Sequence, residues 1–388
     1  MSYFMIPNQI QSFLRYLENS GFQAYLVGGC VRDGLLMLTP HDWDVCTDAL
    51  PQELQSLFPN SLTYGMRHGT VTVRWNGIMI EVTTFRSEST YTDHRRPDHV
   101  EFIKDLQADL SRRDFTVNAI AMDADGRLRD PLNGLEDLND GIIRAVGSPE
   151  ARFREDALRM LRAIRFSAQL NFKIEPKTKK AILTCAPLTA ALAAERVAQE
   201  IEKTLLTAHP ERVSDMATTG LLAPWLRGTL QNAPDKLNQL PLRRIQRWCG
   251  FSLLFNDPDS LSLLRLDRKT IDISRQCFSI RETQTRDTVF WKNAVHQYGR
   301  EAAVLVSEVL SVWDETDDEI ILQTVLSSGE CCTLSELAVN GSDLKVLGFH
   351  GKEIRRALES ALNHVWLHPD QNERELLLQL LRKEDQRG

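Results

Sequence analysis

At 388 residues the chain is too long for one core, and the usual size rule gives it two to four domains. Its 26% charged and 42% hydrophobic residues are ordinary for a globular protein, and no apolar run approaches the roughly 20 residues that cross a bilayer, which excludes a helical membrane protein. The net charge of −7 offers no general attraction for nucleic acid, although basic residues gather at 112–113, 152–165, 173–180, 243–247 and 265–269. The seven cysteines are odd in number and show no CxxC spacing, so neither a zinc site nor a disulfide framework is expected. Reduced core thiols and a cytoplasmic location are expected, with no leader-like segment opening the sequence.

In chain order, Leu26 and Val27 read as the end of a strand and Arg32 to Met37 as the start of a helix. Between them Gly28 and Gly29 sit at a turn where backbone N–H groups and a helix N-terminus can cradle a triphosphate. Asp42 and Asp44 follow, one residue apart; in an extended strand both project to one side, where they can grip one or two divalent cations. A phosphate cradle followed by a hard-cation site points to nucleotidyl transfer, and Mg²⁺ suits such oxygen ligands. The His41-Asp42 pair does not favour a His-Asp phosphohydrolase, because that chemistry needs further helical His and Asp ligands.

Gly69 to Arg74 and Ile78 to Phe85 form a predicted hairpin about Asn76-Gly77. On its second strand Glu81 is either a third carboxylate that orients an attacking hydroxyl or an edge-exposed side chain. Arg112 and Arg113 precede a predicted buried strand, Val117 to Met122, closed by Asp125-Gly126. Their guanidinium forks match phosphate oxygens, or else they form a solvated charge cluster. Beyond Gly147-Ser148-Pro149 the apolar period becomes helical and remains so almost to the end, with punctuation at Asn256-Asp257-Pro258 and Asn340-Gly341. The first of these helices carries Asp156, Arg159, Arg162 and Arg165 at intervals of three, beside an apolar side of Leu158, Leu161 and Ile164. One reading is a solvated stripe with a single i,i+3 ion pair. The other is a protein edge with an acceptor beside donors, which complements cytosine and adenine and repels uracil and guanine.

The segments 26–33, 41–44, 112–121 and 155–162 resemble the successive motifs of the class II tRNA nucleotidyltransferase and bacterial poly(A) polymerase family. Ala194-Glu195-Arg196-Val197 with Glu200 is similar to a later neck motif, and Asn340-Gly341-Ser342-Asp343-Leu344 to a tail element of bacterial CCA-adding enzymes. The resemblance implies an α+β chain: a polymerase-β-like head (1–147), then an all-α neck (148–208), body (209–325) and tail (326–388). It implies Mg²⁺ ligands at Asp42 and Asp44, triphosphate contacts at Gly29, Arg32 and Arg113, base reading by Asp156 and Arg159, and support from Arg162 and Arg165. The implied reaction is untemplated addition of C, C and A to the tRNA 3′ end from CTP and ATP, releasing pyrophosphate. Cys30 stands where Ala is common in the family. The stretch from Arg86 to Asp109 resembles the family's full-length flexible loop, which disfavours CC-only activity but leaves full CCA and A-only addition open. A poly(A) polymerase is disfavoured by the absence of a lysine-rich extension after Arg382, and a non-catalytic RNA-binding relative by the intact Arg32, Asp42 and Asp44.

Overall fold

The computed structural model describes residues 5–88 and 100–385. Contacts divide the chain into two compact units, Met1–Trp225 and Leu226–Gly388. The first opens with α1 (Asn8–Asn19), β1 (Ala24–Val27), α2 (Gly29–Leu35), β2 (Trp43–Thr47) and α3 (Pro51–Leu57). It continues through β3 (Thr70–Trp75), β4 (Ile78–Thr84), β5 (Arg86–Glu88), β6 (Val100–Phe102) and α4 (Leu106–Ser111) to β7 (Ala121–Met122), β8 (Leu128–Arg129), α5 (Gly134–Asp140) and β9 (Ile142–Ile143). The main sheet has the order β3-β4-β2-β1-β7-β8, antiparallel except for the β2/β4 pair. The β3–β4 hairpin turns on Asn76 (φ 46°) and Gly77 (φ 84°), the two left-handed positions that such a tight turn requires.

One face of this sheet is covered across β1 to β4. Ile10, Phe13, Leu14 and Leu17 of α1 pack on Leu26, Val45, Val71, Val73, Ile80 and Val82. A smaller core on the opposite face joins Val27, Cys46, Phe85, Leu110, Ala119 and Ala121. That second cover lies over β2, β1 and β7. Over β3 and β4 the same face stays open, with Arg74, Met79 and Glu81 exposed.

Two local expectations are corrected. The helix begins at Gly29 instead of Arg32, because Gly28 (φ 79°) makes the turn itself and the glycine after it already has helical geometry. Val117 to Met122 is not a strand: Thr116–Asn118 form a single 3₁₀ turn and only Ala121–Met122 pair in the sheet. Buried polar groups dictate this, since Thr116 donates its hydroxyl to Asp137 (2.6 Å) and the Asn118 carbonyl accepts from Arg32 (2.7 Å). Within the loop resembling a flexible element, 86–88 pair with 100–102 and α4 follows, while the segment 89–99, including Tyr91 to Asp98, lies outside the described residues.

Helices dominate from Pro149, a residue well placed at a first helical position. They are α6 (Pro149–Glu155), α7 (Leu158–Leu170), α8 (Pro176–Cys185) and α9 (Ala194–Leu205). The helical run is interrupted by β10 (Lys173–Ile174), which pairs in parallel with β9 and ties this segment to the sheet-bearing part of the unit. The regular elements among the described residues of the second unit are all helices. Trp248 and Phe251 of helix Arg244–Leu254 and Phe255 at its C-terminal cap stack edge to face, and a separate core joins Val339, Leu344, Leu362, Val365 and Trp366. Asn340-Gly341 starts a helix through a reciprocal capping box with Asp343. All seven cysteines are buried and unpaired. Among the described residues no helix is long and apolar enough to cross a membrane.

Candidate active site

The β1–α2 turn and the start of β2 bring the first two motifs together. A Cβ at Gly28 would lie 3.5 Å from Asp44 Oδ2 and 3.6 Å from Arg113 Nη1, ordinary contact distances, so glycine is needed here for its positive φ (79°). Asp42 lies in a bend just before β2 and not within the strand, and Asp44 is its second residue. Parallel pairing of β2 with β4 sets Asp44 directly beside Glu81. Burial first, then the charges of Glu81 and Asp42, push the Asp44 carboxyl up to about 6, against the opposing pull of Arg113. Such a crowded carboxylate gains from a cation.

The donor set fits a hard divalent ion, but only in part. Among the described residues no group of three or more His, Cys, Asp or Glu side chains is arranged to hold a metal by itself. Asp42 and Asp44 offer carboxylate oxygens, and the remaining positions of a Mg²⁺ shell are the kind filled by water and substrate phosphate.

Arg32 is 3% exposed. Its guanidinium is fixed by Asp33 (Nε–Oδ1 2.8 Å) and Asn118 (Nη1–Oδ1 2.7 Å) and lies 5.0 Å from the centre of the Phe166 ring. Arg112 and Arg113 do not form a solvated cluster. Both grip the fully buried Asp109 (2.8 and 3.1 Å), whose carboxyl burial would raise but the two arginines hold below its usual range. Arg113 Nε is buried and has no hydrogen-bond partner, while the residue as a whole lines an open cavity. Replacing Asp109 with alanine removes the buried carboxylate that two half-buried guanidiniums share, and a loss of about 3 kcal/mol is expected. Urea unfolding of the purified variant measures it.

The arginine stripe is also corrected. Asp156 is not on the helix: it is the extended residue (φ −137°, ψ 106°) that separates α6 from α7, and its Oδ1 accepts from Leu158 N (3.0 Å). Asp residues compete with helix in this way. The expected Asp156–Arg159 ion pair does not form. Asp156 meets Arg196 of α9 (3.3 Å), and Arg159 meets Glu155 (2.6 Å) and donates to the Arg112 carbonyl (3.1 Å). Arg162 grips Asp114 (2.6 Å), whose carboxyl is held at about 2 by Arg162 despite its burial. Arg165 grips Glu200 (2.6 Å) and lies 3.8 Å from the centre of the Phe166 ring, which Arg32 and Arg162 also approach.

One open cavity of about 620 Å³ is lined by Gly28, Gly29, Arg32, Asp42, Asp44 and Arg113 together with Asp156, Arg159, Arg162 and Arg165. Of the residues singled out in the sequence, Glu81 alone is not part of its wall. Asp114, Asn118, Phe166, Gln169 and Arg196 line it without having been singled out for it. Gln169 had a legible signal, since it lies one turn beyond Arg165 and accepts from it (3.1 Å).

A poly A polymerase head domain model matches residues 24–144, and a model described as a probable RNA- and SrmB-binding site of polymerase A matches residues 171–232. A CCA-adding enzyme from a Geobacillus species is 41% identical over 368 residues, covering 90% of this chain and 91% of the relative. The chain belongs to the class II tRNA nucleotidyltransferase and poly(A) polymerase family. Within that family, the CCA-adding enzyme of Leuconostoc mesenteroides is 52% identical over 218 residues, a match covering 56% of this chain and 54% of the relative. A crystal structure of the Bacillus stearothermophilus CCA-adding enzyme in complex with CTP is similar over 98% of each chain, with a TM-score of 0.82 and 32% identity. The α+β architecture expected of the family is the one observed.

Proposed function

We propose that this chain adds C, C and A to the 3′ end of tRNA from CTP and ATP, without a nucleic-acid template and with release of pyrophosphate, in the cytoplasm. The observation that carries this reading is one cavity whose wall holds a phosphate cradle, two cation-seeking carboxylates and a polar edge for a base. The α2 N-terminus with Gly28 and Gly29, Arg32 and Arg113, all on the cavity wall, receives the triphosphate. Asp42 and Asp44 hold the metal, for which Mg²⁺ is the proposed identity; when bound, such an ion polarises the attacked phosphorus and neutralises charge on the leaving pyrophosphate. Glu81, beside Asp44 in the sheet, orients the attacking 3′ hydroxyl and accepts its proton. Asp156 Oδ2 and the Arg159 guanidinium form the base-reading edge, set by Arg196 on one side and Glu155 on the other.

We assign catalysis to the head (1–147), base recognition to the neck (148–208) and tRNA binding to the tail (326–388), with the helical body (209–325) between them. Extension of tRNA transcripts ending at the discriminator base, at C and at CC, each with CTP, ATP or both, tests the activity. Full CCA addition to the shortest transcript is expected. Addition of A to the CC form alone converts the assignment to an A-adding enzyme, and long A tails on unrelated RNA convert it to a polymerase.

A further inference from the structure

The sheet face beside the cavity is left open on one side only, and the reaction says what must lie there. Resting on the function proposed above, an in-line displacement puts the attacking oxygen on the side of the phosphorus opposite the leaving pyrophosphate. The phosphate cradle, Gly28 and Gly29 with Arg113, is on the β1 side of Asp44. The attacking strand must therefore arrive from the β4 and β3 side. There the register places Asp44, Glu81 and Thr72 in one row across β2, β4 and β3, and bridges Thr72 to Leu62 at the edge. The next row on the same face pairs Met79 with Arg74. Met79 and Leu62 are 47% and 48% exposed, whereas their neighbours Ile80, Val71 and Val73 on the opposite face are buried. Arg74 is exposed and forms no ion pair among the described residues. It stands two strands from β2, about 10 Å across the sheet.

We propose that this face is the track for the single-stranded 3′ end of the acceptor RNA: Arg74 takes a backbone phosphate upstream of the terminal nucleotide, and Met79 packs against a ribose or base. A free cation, an apolar platform and a carboxylate in line toward the metal ligands complement a phosphodiester strand whose terminal hydroxyl ends at Glu81.

The full chain with Arg74→Ala, Arg74→Glu and Arg74→Lys is assayed beside the wild type on a tRNA transcript lacking CCA, with KM measured separately for tRNA and for CTP. The expected result is a KM for tRNA raised roughly tenfold by alanine, raised further by glutamate and largely restored by lysine, with the KM for CTP unchanged within about twofold. The salt dependence of tRNA binding should lose about 0.7 from its logarithmic slope in the alanine variant, the value for one single-strand phosphate contact. A wild type that extends tRNA beside Arg74 variants with unaltered tRNA KM and salt slope overturns the track alone. So does a rise in the KM for CTP that matches the rise for tRNA. A wild type that adds nothing to tRNA overturns the proposed function, and the track with it.

Discussion

Replacing Asp44 with asparagine is expected to reduce nucleotide incorporation by at least about 10³-fold, a transition-state loss on the order of 4 kcal/mol, while making the protein more stable in the presence of a chelator. The two effects have one source. The folded protein holds this carboxyl at about 6 instead of its ordinary 3.8, because it is buried and faces Glu81 and Asp42. A folded pKa above the unfolded one means that the native state binds the proton more tightly, so stability is lost as pH rises from about 4 through 6, and the ionised group is a liability above that. The shift of about two units corresponds to up to about 3 kcal/mol. Asparagine removes that liability. In EDTA at pH 8 the variant should therefore melt at a higher temperature than the wild type, with the gap closing below about pH 4. Added Mg²⁺ should stabilise the wild type more than the variant. A variant that is both inactive and less stable at pH 8 would mean that Asp44 is a structural carboxylate and not one side of a cation site.

What could be read from the sequence divides by range. Gly28, Gly29, Asp42 and Asp44 fall within 17 residues, and the conformations they need are set locally: a positive φ at Gly28 and a short strand opening at Trp43. Their proximity follows from the β1–α2–β2 connection without knowledge of anything distant. The Asn76-Gly77 hairpin was legible for the same reason. Asn118 and Asp114 were not. The polarity of Asn118 is outweighed by the apolar run around it, which reads as a strand, Asp114 lies just before that run, and their partners Arg32 and Arg162 lie 86 and 48 residues away. The break at Asp156 was hidden in another way. Arginines at intervals of three continue the helical period up to it, and only Arg196, 40 residues further on, and the Leu158 amide reveal that its carboxylate is used elsewhere.

That break bears directly on how nucleotide choice is tested. Truncating Asp156 to alanine would also remove the oxygen that accepts from Leu158 N, and losing a cap of this kind costs about 0.5–2 kcal/mol. Asparagine separates the two roles. Its Oδ1 keeps the bond to Leu158, and its amide presents a donor where Asp156 Oδ2 presented an acceptor, at the cost of the Arg196 contact to that oxygen. On the proposed reading this oxygen faces the amino group of cytosine or adenine, so an acceptor becomes a donor opposite N4 or N6 and matches the carbonyl of uracil or guanine instead. Asp156→Asn is therefore expected to shrink the preference for CTP over UTP, and for ATP over GTP, by roughly 1–3 kcal/mol, about 5- to 150-fold in the ratio of kcat/KM. Arg159→Ala should relax the same ratios by removing the adjoining donor, with some local loosening because Arg159 also bonds Glu155 and the Arg112 carbonyl. The two variants together should relax selectivity by less than the sum of their separate effects, since each already spoils one edge. The measurement is single-nucleotide incorporation on a tRNA transcript with each of the four triphosphates in turn. If both variants keep the wild-type ratios while losing total rate, the residues at this break serve only to hold α6, α7 and α9 together, and the base must be read by other groups of the cavity wall, among which Gln169 and Arg196 come first.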